Sequence, residues 1–368
     1  MRVALLCDSP DEHWPSMDIV GDMLKQYLLP PTEPEQVLLP IRSLTPNLSV
    51  NRIWLRFVDY PRWLRQNRSR FDLFHITDHS YSQLAHELPP ERTVITCHDI
   101  DTFRCVLEPE RDPRPFLFRA MTRRILTGLQ RAAHVACDSD ATRADLERYS
   151  VLSPERMSVV PLGFHPSCSP EANPEADARA AELLGPPGAS LDILHVGSTI
   201  ARKRIDDLIR IFEAVRDSVP TLRLLRVGGP FTAAQQQLSY ELGVSAAILE
   251  LPFLDRDTLA AVYRRAALVL LPSDAEGFGL PVAEAMACGT PVLASDLPVL
   301  REVGGSAALY APPCQTGAWA ARLAQLLYQR AANPLAWQEL RKAGVTQASQ
   351  FSWANYSNCM ANVYNRLL

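Results

Sequence analysis

Nothing in the 368 residues approaches the roughly 18 uninterrupted apolar positions that a membrane-spanning helix needs. The first apolar run, residues 3–7, is closed by Asp8; it is too short for a secretory signal and suits a first strand. No CxxC occurs among the eight cysteines, and the nearest two, Cys97 and Cys105, are eight residues apart. That excludes the common zinc spacings, and Cys7, Cys97, Cys137 and Cys288 sit among apolar neighbours as small hydrophobes. A surplus of positive charge is missing too: 37 basic against 41 acidic residues leave a net charge of −4, so there is no global electrostatic reason to bind nucleic acid. Neither strand that opens a sheet is followed by GxGxxG, which argues against a nicotinamide-dependent oxidoreductase. No fixed-period repeat suggests a solenoid. Together these absences predict a cytoplasmic protein, with any membrane contact peripheral.

What is present is ordinary globular composition, 47 % hydrophobic and 21 % charged, at a length that suits two domains. Continuously apolar runs at 3–7, 72–76, 93–97, 134–137 and 158–160 alternate with helical patterns, as in parallel sheets covered on both faces. Residues 166–190, rich in Pro, Ala, Glu and Ser, read as a linker region. The pattern then restarts at 193–196, 222–227, 248–251, 268–271, 292–294 and 307–310. The expected organisation is a first α/β domain over 1–165, joined by a helix at 353–368, the linker at 166–190, and a second α/β domain over 191–352. Two such domains facing one another would create a cleft lined by the carboxyl ends of strands, where open α/β sheets hold ligands.

The strongest site signal follows the strand at 268–271. Proline at 281 and glycine at 289 bracket a short helix whose N-terminus opens directly after Gly277, Phe278 and Gly279. Such an end presents backbone N–H groups and a partial positive charge, and the glycines allow close approach. Glu276 on the loop and Glu284 on the helix, eight residues apart, are acceptors for two parts of one polyhydroxyl ligand. After the strand at 193–196 come Gly197 and Ser198, then Arg202, Lys203 and Arg204, cations suited to a diphosphate leaving group.

The string from Glu276 through Gly277, Phe278, Gly279, Leu280 and Pro281 to Glu284, continuing to Gly289, Thr290, Pro291 and Val292, resembles the E-x7-E signature of the family 4 retaining glycosyltransferases. Residues 301–305, 135–149, 159–163 and the Phe351, Ser352, Trp353 triplet resemble further parts of that family. The resemblance implies a GT-B fold: two Rossmann-like domains, with the final helix crossing back to the first. It implies that Glu276 meets the transferred sugar, that Glu284 takes ribose hydroxyls, and that Gly277, Phe278, Gly279 and Leu280 line the donor. Relatives usually carry arginine directly after the glycine corresponding to Gly197, and lysine six residues after it, followed by glycine. Lys203 matches; Ser198 does not, so the arginine role passes to Arg202, and Arg204 replaces the glycine. Phe253 and Leu254 match the loop that holds the base largely through backbone. His98, after the strand at 93–97, matches a histidine near the transferred sugar. Many relatives have a Gly-Gly loop where this chain has Trp14, Pro15, Ser16 and Met17.

No metal site is expected. The trio His75, Asp78 and His79 and the pairs Asp138/Asp140 and Asp255/Asp257 have tempting spacings, but Ser139 or Asp140 and Asp255 stand where helix caps belong. The resemblance implies transfer without a bound divalent ion or other cofactor. Between 114 and 131 five arginines and no acid interleave with Phe116, Phe118 and Ile125, a pattern suited to an anionic membrane surface or to a solvated helix; Arg62, Arg65, Arg68 and Arg70 form a second basic patch. The expected function is retaining transfer of a hexose, first glucose from UDP-glucose, to a glycan or lipid-linked acceptor. The alternatives are a GDP-mannose-dependent mannosyltransferase and a noncatalytic sugar-nucleotide binder.

Overall fold

The computed structural model describes every residue except His13, Trp14, Pro187 and Ala189, and leaves the side chains of Pro15 and Ser16 undescribed. The chain forms two units, Met1–Gly163 with Phe351–Leu368, and Phe164–Gln350.

The first unit is a six-stranded sheet of β1 (Arg2–Leu6), β2 (Glu33–Val37), β3 (Leu73–Ile76), β4 (Thr93–Cys97), β5 (His134–Cys137) and β6 (Met157–Val159), in the order β2-β1-β3-β4-β5-β6. All neighbours run parallel, and the inner strands are buried on both faces, which is why they read as unbroken apolar runs. β2 was not expected from the sequence: Glu-Pro-Glu-Gln-Val is an edge strand, where proline and charge are tolerated and deter further pairing. The helix Pro15–Tyr27 follows β1; the expectation placed on Trp14, Pro15 and Ser16 lies outside the described residues and side chains.

The C-terminal helix Trp353–Asn365 belongs to this unit. It buries Trp353, Tyr356, Met360, Val363 and Tyr364, a single stripe at helical spacing. Tyr364 Oη lies 2.7 Å from His75 Nδ1, His75 Nε2 lies 2.8 Å from Thr96 Oγ1, and Thr96 in turn meets Tyr356 Oη at 3.2 Å. Complete burial drives His75 down to about 3, so this imidazole is neutral and structural.

The second unit contains β7 (Leu191–Val196), β8 (Leu222–Val227), β9 (Ile248–Leu251), β10 (Leu268–Leu271), β11 (Val292–Ser295) and β12 (Leu309–Ala311), also parallel, in the order β12-β11-β10-β7-β8-β9. The strand order reverses between β7 and β10, so the loops leaving those two strands flank the crevice where doubly wound sheets bind ligands.

Residues 166–190 are not a free linker, which corrects the expected boundary. They belong to the second unit and hold the helix Pro174–Leu184, capped by Asn173 and packed on the helix Arg256–Arg265. Its buried face is Ala176, Ala180 and Leu184, small residues that give little apolar signal. Arg264 reaches Asp177 at 2.6 Å, and Arg179 reaches Thr258 at 2.8 Å.

Candidate functional site

The loops after β7 and β10 meet at the switch point. The turn Ala201–Lys203 is tied to the β10 loop by the Asp274 N–H, which donates to the Arg202 carbonyl at 2.9 Å. Lys203 Nζ donates to Glu276 Oε1 at 2.6 Å; Arg202 Nη1 lies 3.5 Å from Glu276 Oε2 and donates to the Ala275 carbonyl at 3.0 Å. The Glu276 side chain is only 5 % exposed. One carboxylate thus lies between two cations, in surroundings where charge is weakly screened. Arg204 turns away: it has φ +52°, the left-handed conformation that explains the family's glycine here, and donates to Asp207 at 2.8 Å.

The helix Leu280–Ala287 begins beside this cluster at Gly279, with no side chain capping its N-terminus. Gly279 has φ +93°, and a Cβ there would stand 2.5 Å from Leu300 Cδ2, so the entry to the helix requires glycine. Gly277, Phe278 and Gly279 are buried and Leu280 half-buried. Glu284, one turn in, is buried; Tyr263 Oη donates to its Oε2 at 2.8 Å, and Oε1 accepts no hydrogen bond among the described residues. Burial raises the Glu284 carboxyl above its ordinary range, with Arg256 and Tyr263 opposing.

In the first unit both ring nitrogens of His98 are held by the protein. Its Nδ1 lies 2.5 Å from Asp138 Oδ2 and its Nε2 lies 2.9 Å from the Thr77 carbonyl, with 5 % of the residue exposed. Both partners are acceptors, so both ring nitrogens donate and the ring is an imidazolium. Asp138 and Asp78 outweigh the desolvation cost and lift it to about 10. No ring nitrogen remains for a sugar hydroxyl. The neighbouring His79 differs: Nδ1 accepts the His98 N–H at 3.3 Å, while Nε2 makes no hydrogen bond and stands 3.5 Å from Asp99 Oδ1. His79 follows β3 and Asp8 follows β1, the two strands at this sheet's own switch point. Both Asp8 carboxyl oxygens are buried without a partner, and burial beside Asp78 pushes that carboxyl well up. The sequence had marked His79 only as a rejected metal ligand.

Residues 181–344 match the family described as glycosyl transferases group 1, and residues 10–167 match glycosyltransferase family 4. The chain belongs to glycosyltransferase family 4. It is similar to O-antigen chain mannosyltransferase B of Escherichia coli, 29 % identical over 317 residues, 83 % of this chain and 79 % of that protein. It is also similar to D-inositol 3-phosphate glycosyltransferase of Mycobacteroides abscessus, 32 % identical over 229 residues, 58 % of this chain; the match spans 47 % of that relative's length. Among solved structures, Anabaena HepE in complex with UDP-glucose superposes with a TM-score of 0.77 at 18 % identity, over 100 % of both chains. The fold class is GT-B.

In this glycosyltransferase Phe253 is 66 % exposed after β9, and Leu254 is half-buried beside it. Gly197, at the end of β7, lies against Lys203: a Cβ there would be 3.5 Å from Lys203 Cε. The aspartate pairs are caps and partners. Ser139 accepts from the Thr142 N–H, Asp255 accepts from the Thr258 N–H at 2.9 Å, and Asp138 holds His98. No group of three metal-ligating side chains occurs among the described residues. The arginine-rich stretch is the helix Phe116–Arg131. It buries Ile125, Leu126 and Leu129 and leaves Phe116 79 % and Leu117 70 % exposed at its start. The second patch is partly neutralised, since Arg65 pairs with Glu87 at 2.9 Å and Arg70 with Glu35 at 3.1 Å. No helix among the described residues is long and apolar enough to cross a membrane.

Proposed function

We propose that this chain transfers a hexose, with retention of configuration, from a nucleotide diphosphate sugar to a hydroxyl of a glycan or lipid-linked acceptor. The observation that carries the reading is the cluster of Arg202, Lys203 and Glu276 at the switch point, beside the uncapped helix start at Gly279. When a donor enters, its diphosphate competes for Lys203 and takes the positive helix end, while Glu276 is released to accept sugar hydroxyls. Glu284 accepts from ribose, and the backbone around Phe253 and Leu254 meets the base.

In the step itself the bond from the anomeric carbon to the phosphate oxygen breaks, and the bond to the acceptor oxygen forms on the same face. The acceptor proton passes to the departing diphosphate oxygen, so no protein nucleophile is required. Lys203 and Arg202 stabilise the charge that develops on that oxygen, the work a metal performs in other transferases. Glucose from UDP-glucose is the first assignment. Mannose from GDP-mannose is the second, favoured by the likeness to the E. coli mannosyltransferase.

A donor screen, read by nucleotide release and product mass with and without EDTA, tests this. Turnover of one hexosyl donor that survives chelation is the expected result. Binding without release of nucleotide from any donor would make the protein a sugar-nucleotide binder, and complete loss in EDTA restored by Mg²⁺ would overturn the metal-independent step.

A further inference from the structure

Beneath the Gly197 turn lies a cation that the reading above leaves unused. Arg226 in β8 is in parallel register with His195 of β7 and Glu250 of β9, so the three side chains stand in a row on one face of the sheet. Earlier positions on that face of β8, Leu222 and Leu224, belong to the apolar core. A leucine at 226 would continue the stripe. Instead a guanidinium is buried there with 0 % exposure. Its Nη1 donates to the carbonyls of Gly197 and Val227, while Nε and Nη2 have no partner.

The register partner Glu250 supports the charge from a distance but leaves both donors bare, since its Oε2 accepts the Phe231 N–H at 2.5 Å. His195 is equally buried, both of its ring nitrogens are bare, and burial beside Arg226 and Lys203 keeps it neutral. Burial brings Arg226 down to about 10, which still leaves it protonated at neutral pH. A buried cation with bare donors destabilises the protein unless an anion compensates it.

The surroundings point to where that anion sits. A Cβ on Gly197 would stand 3.3 Å from His195 Cε1 and 3.5 Å from Lys203 Cε, and one on Gly228 would stand 2.2 Å from the Gly197 carbonyl oxygen. The turns after β7 and β8 therefore press together over Arg226, with Lys203 on their rim. We propose that Arg226 is a positioning residue for the donor diphosphate. It pins the Gly197 carbonyl from below and adds its positive field to that of Lys203 and Arg202.

This inference rests on the nucleotide-sugar reading of the second unit, and the test separates the two. Wild type, R226M and R226K are titrated calorimetrically with UDP and GDP and with uridine and guanosine, and unliganded melting is recorded. Loss of the charge should raise the Kd for the preferred diphosphate about 10- to 30-fold. The affinity for the matching nucleoside should stay within about twofold, because the base and ribose contacts lie elsewhere. R226K should recover much of the diphosphate affinity, and R226M should melt no lower than wild type because an uncompensated interior charge is gone. Equal loss of nucleoside and diphosphate affinity would make Arg226 merely structural, and unchanged diphosphate affinity would overturn the proposal alone. Should R226M not fold, R226Q provides the same comparison. Wild type that binds neither diphosphate would overturn both readings.

Discussion

Replacing Glu284 by glutamine exchanges one oxygen for an NH₂ group and removes one charge, and the structure sets what each change does. Glu284 is buried, keeps Tyr263 Oη on Oε2 at 2.8 Å, and has Oε1 free of hydrogen bonds among the described residues. A hydroxyl bonded to a carboxylate contributes about 1.5–3 kcal/mol, against about 0.5–1.5 kcal/mol for a neutral acceptor. The donor should therefore lose about 1–2 kcal/mol, roughly 5- to 30-fold in Kd. Stability should move differently. The folded carboxyl titrates above its unfolded value, so its favourable contribution is complete below the unfolded value and is lost as pH rises through the folded one. Whenever it is ionised the buried carboxyl carries a desolvation cost; the glutamine variant never does, and it keeps the Tyr263 bond. The melting temperature of unliganded Glu284→Gln at pH 7 should not fall, and any advantage should shrink as pH drops through the raised value. Calorimetry with UDP and GDP, beside melting at pH 4 and pH 7, reads both. A Kd unchanged within twofold, or a clear drop in melting temperature at pH 7, would refute the reasoning.

Lys203→Ala removes the ammonium that lies 2.6 Å from Glu276 and should lower kcat/KM about 10²- to 10³-fold in steady-state assays; a loss under threefold would remove Lys203 from the charge-stabilising step. His98→Ala leaves Asp138 buried and unpaired and should cost about 3–5 kcal/mol in urea unfolding at pH 7. Because His98 is raised to about 10, its contribution in wild type is complete below the unfolded value near 6.5 and should be lost as pH rises through 10; a flat profile there contradicts the imidazolium assignment. The helix Phe116–Arg131, with Phe116 and Leu117 exposed, should bring the protein down with anionic vesicles at low salt, each arginine adding up to about 1 kcal/mol. Arg119→Glu with Arg123→Glu should release it without altering donor hydrolysis, whereas indifference of wild type to anionic vesicles would make the helix simply solvated.

The legible parts of the sequence were those in which local chemistry and tertiary role agree. The inner strands announce themselves because burial on both faces demands unbroken apolar residues, and the E-x7-E string because glycines, proline and carboxylates each answer a local need at the entry of one helix. Edge strand β2 escaped because an edge favours the charges and proline that otherwise argue against a strand. The helix Pro174–Leu184 escaped because alanine packing needs little apolar bulk. The surroundings of His98 were only half legible: its position after β4 is visible in the sequence, but the Asp138 carboxylate that occupies its Nδ1 comes from the end of another strand, 40 residues on. Arg226 carries no motif, and only the fold reveals that its face of β8 is the buried one.

The C-terminal helix also fixes an order of events during synthesis. The chain leaves the first unit at Gly163 and re-enters it at Phe351, so all of Phe164–Gln350 has been made before the residues that finish the first sheet's covering exist. Until Trp353, Tyr356, Met360 and Tyr364 arrive, the surface they cover is open and His75 lacks the Tyr364 hydroxyl, a partner 289 residues downstream. Contacts this distant form late because loop closure must come first. The second unit, contiguous in sequence, can close as it emerges, while the first waits for the helix Trp353–Asn365. The nascent chain thus completes the unit holding Lys203 and Glu276 before the one holding His79, and the half begun first is the last to be sealed.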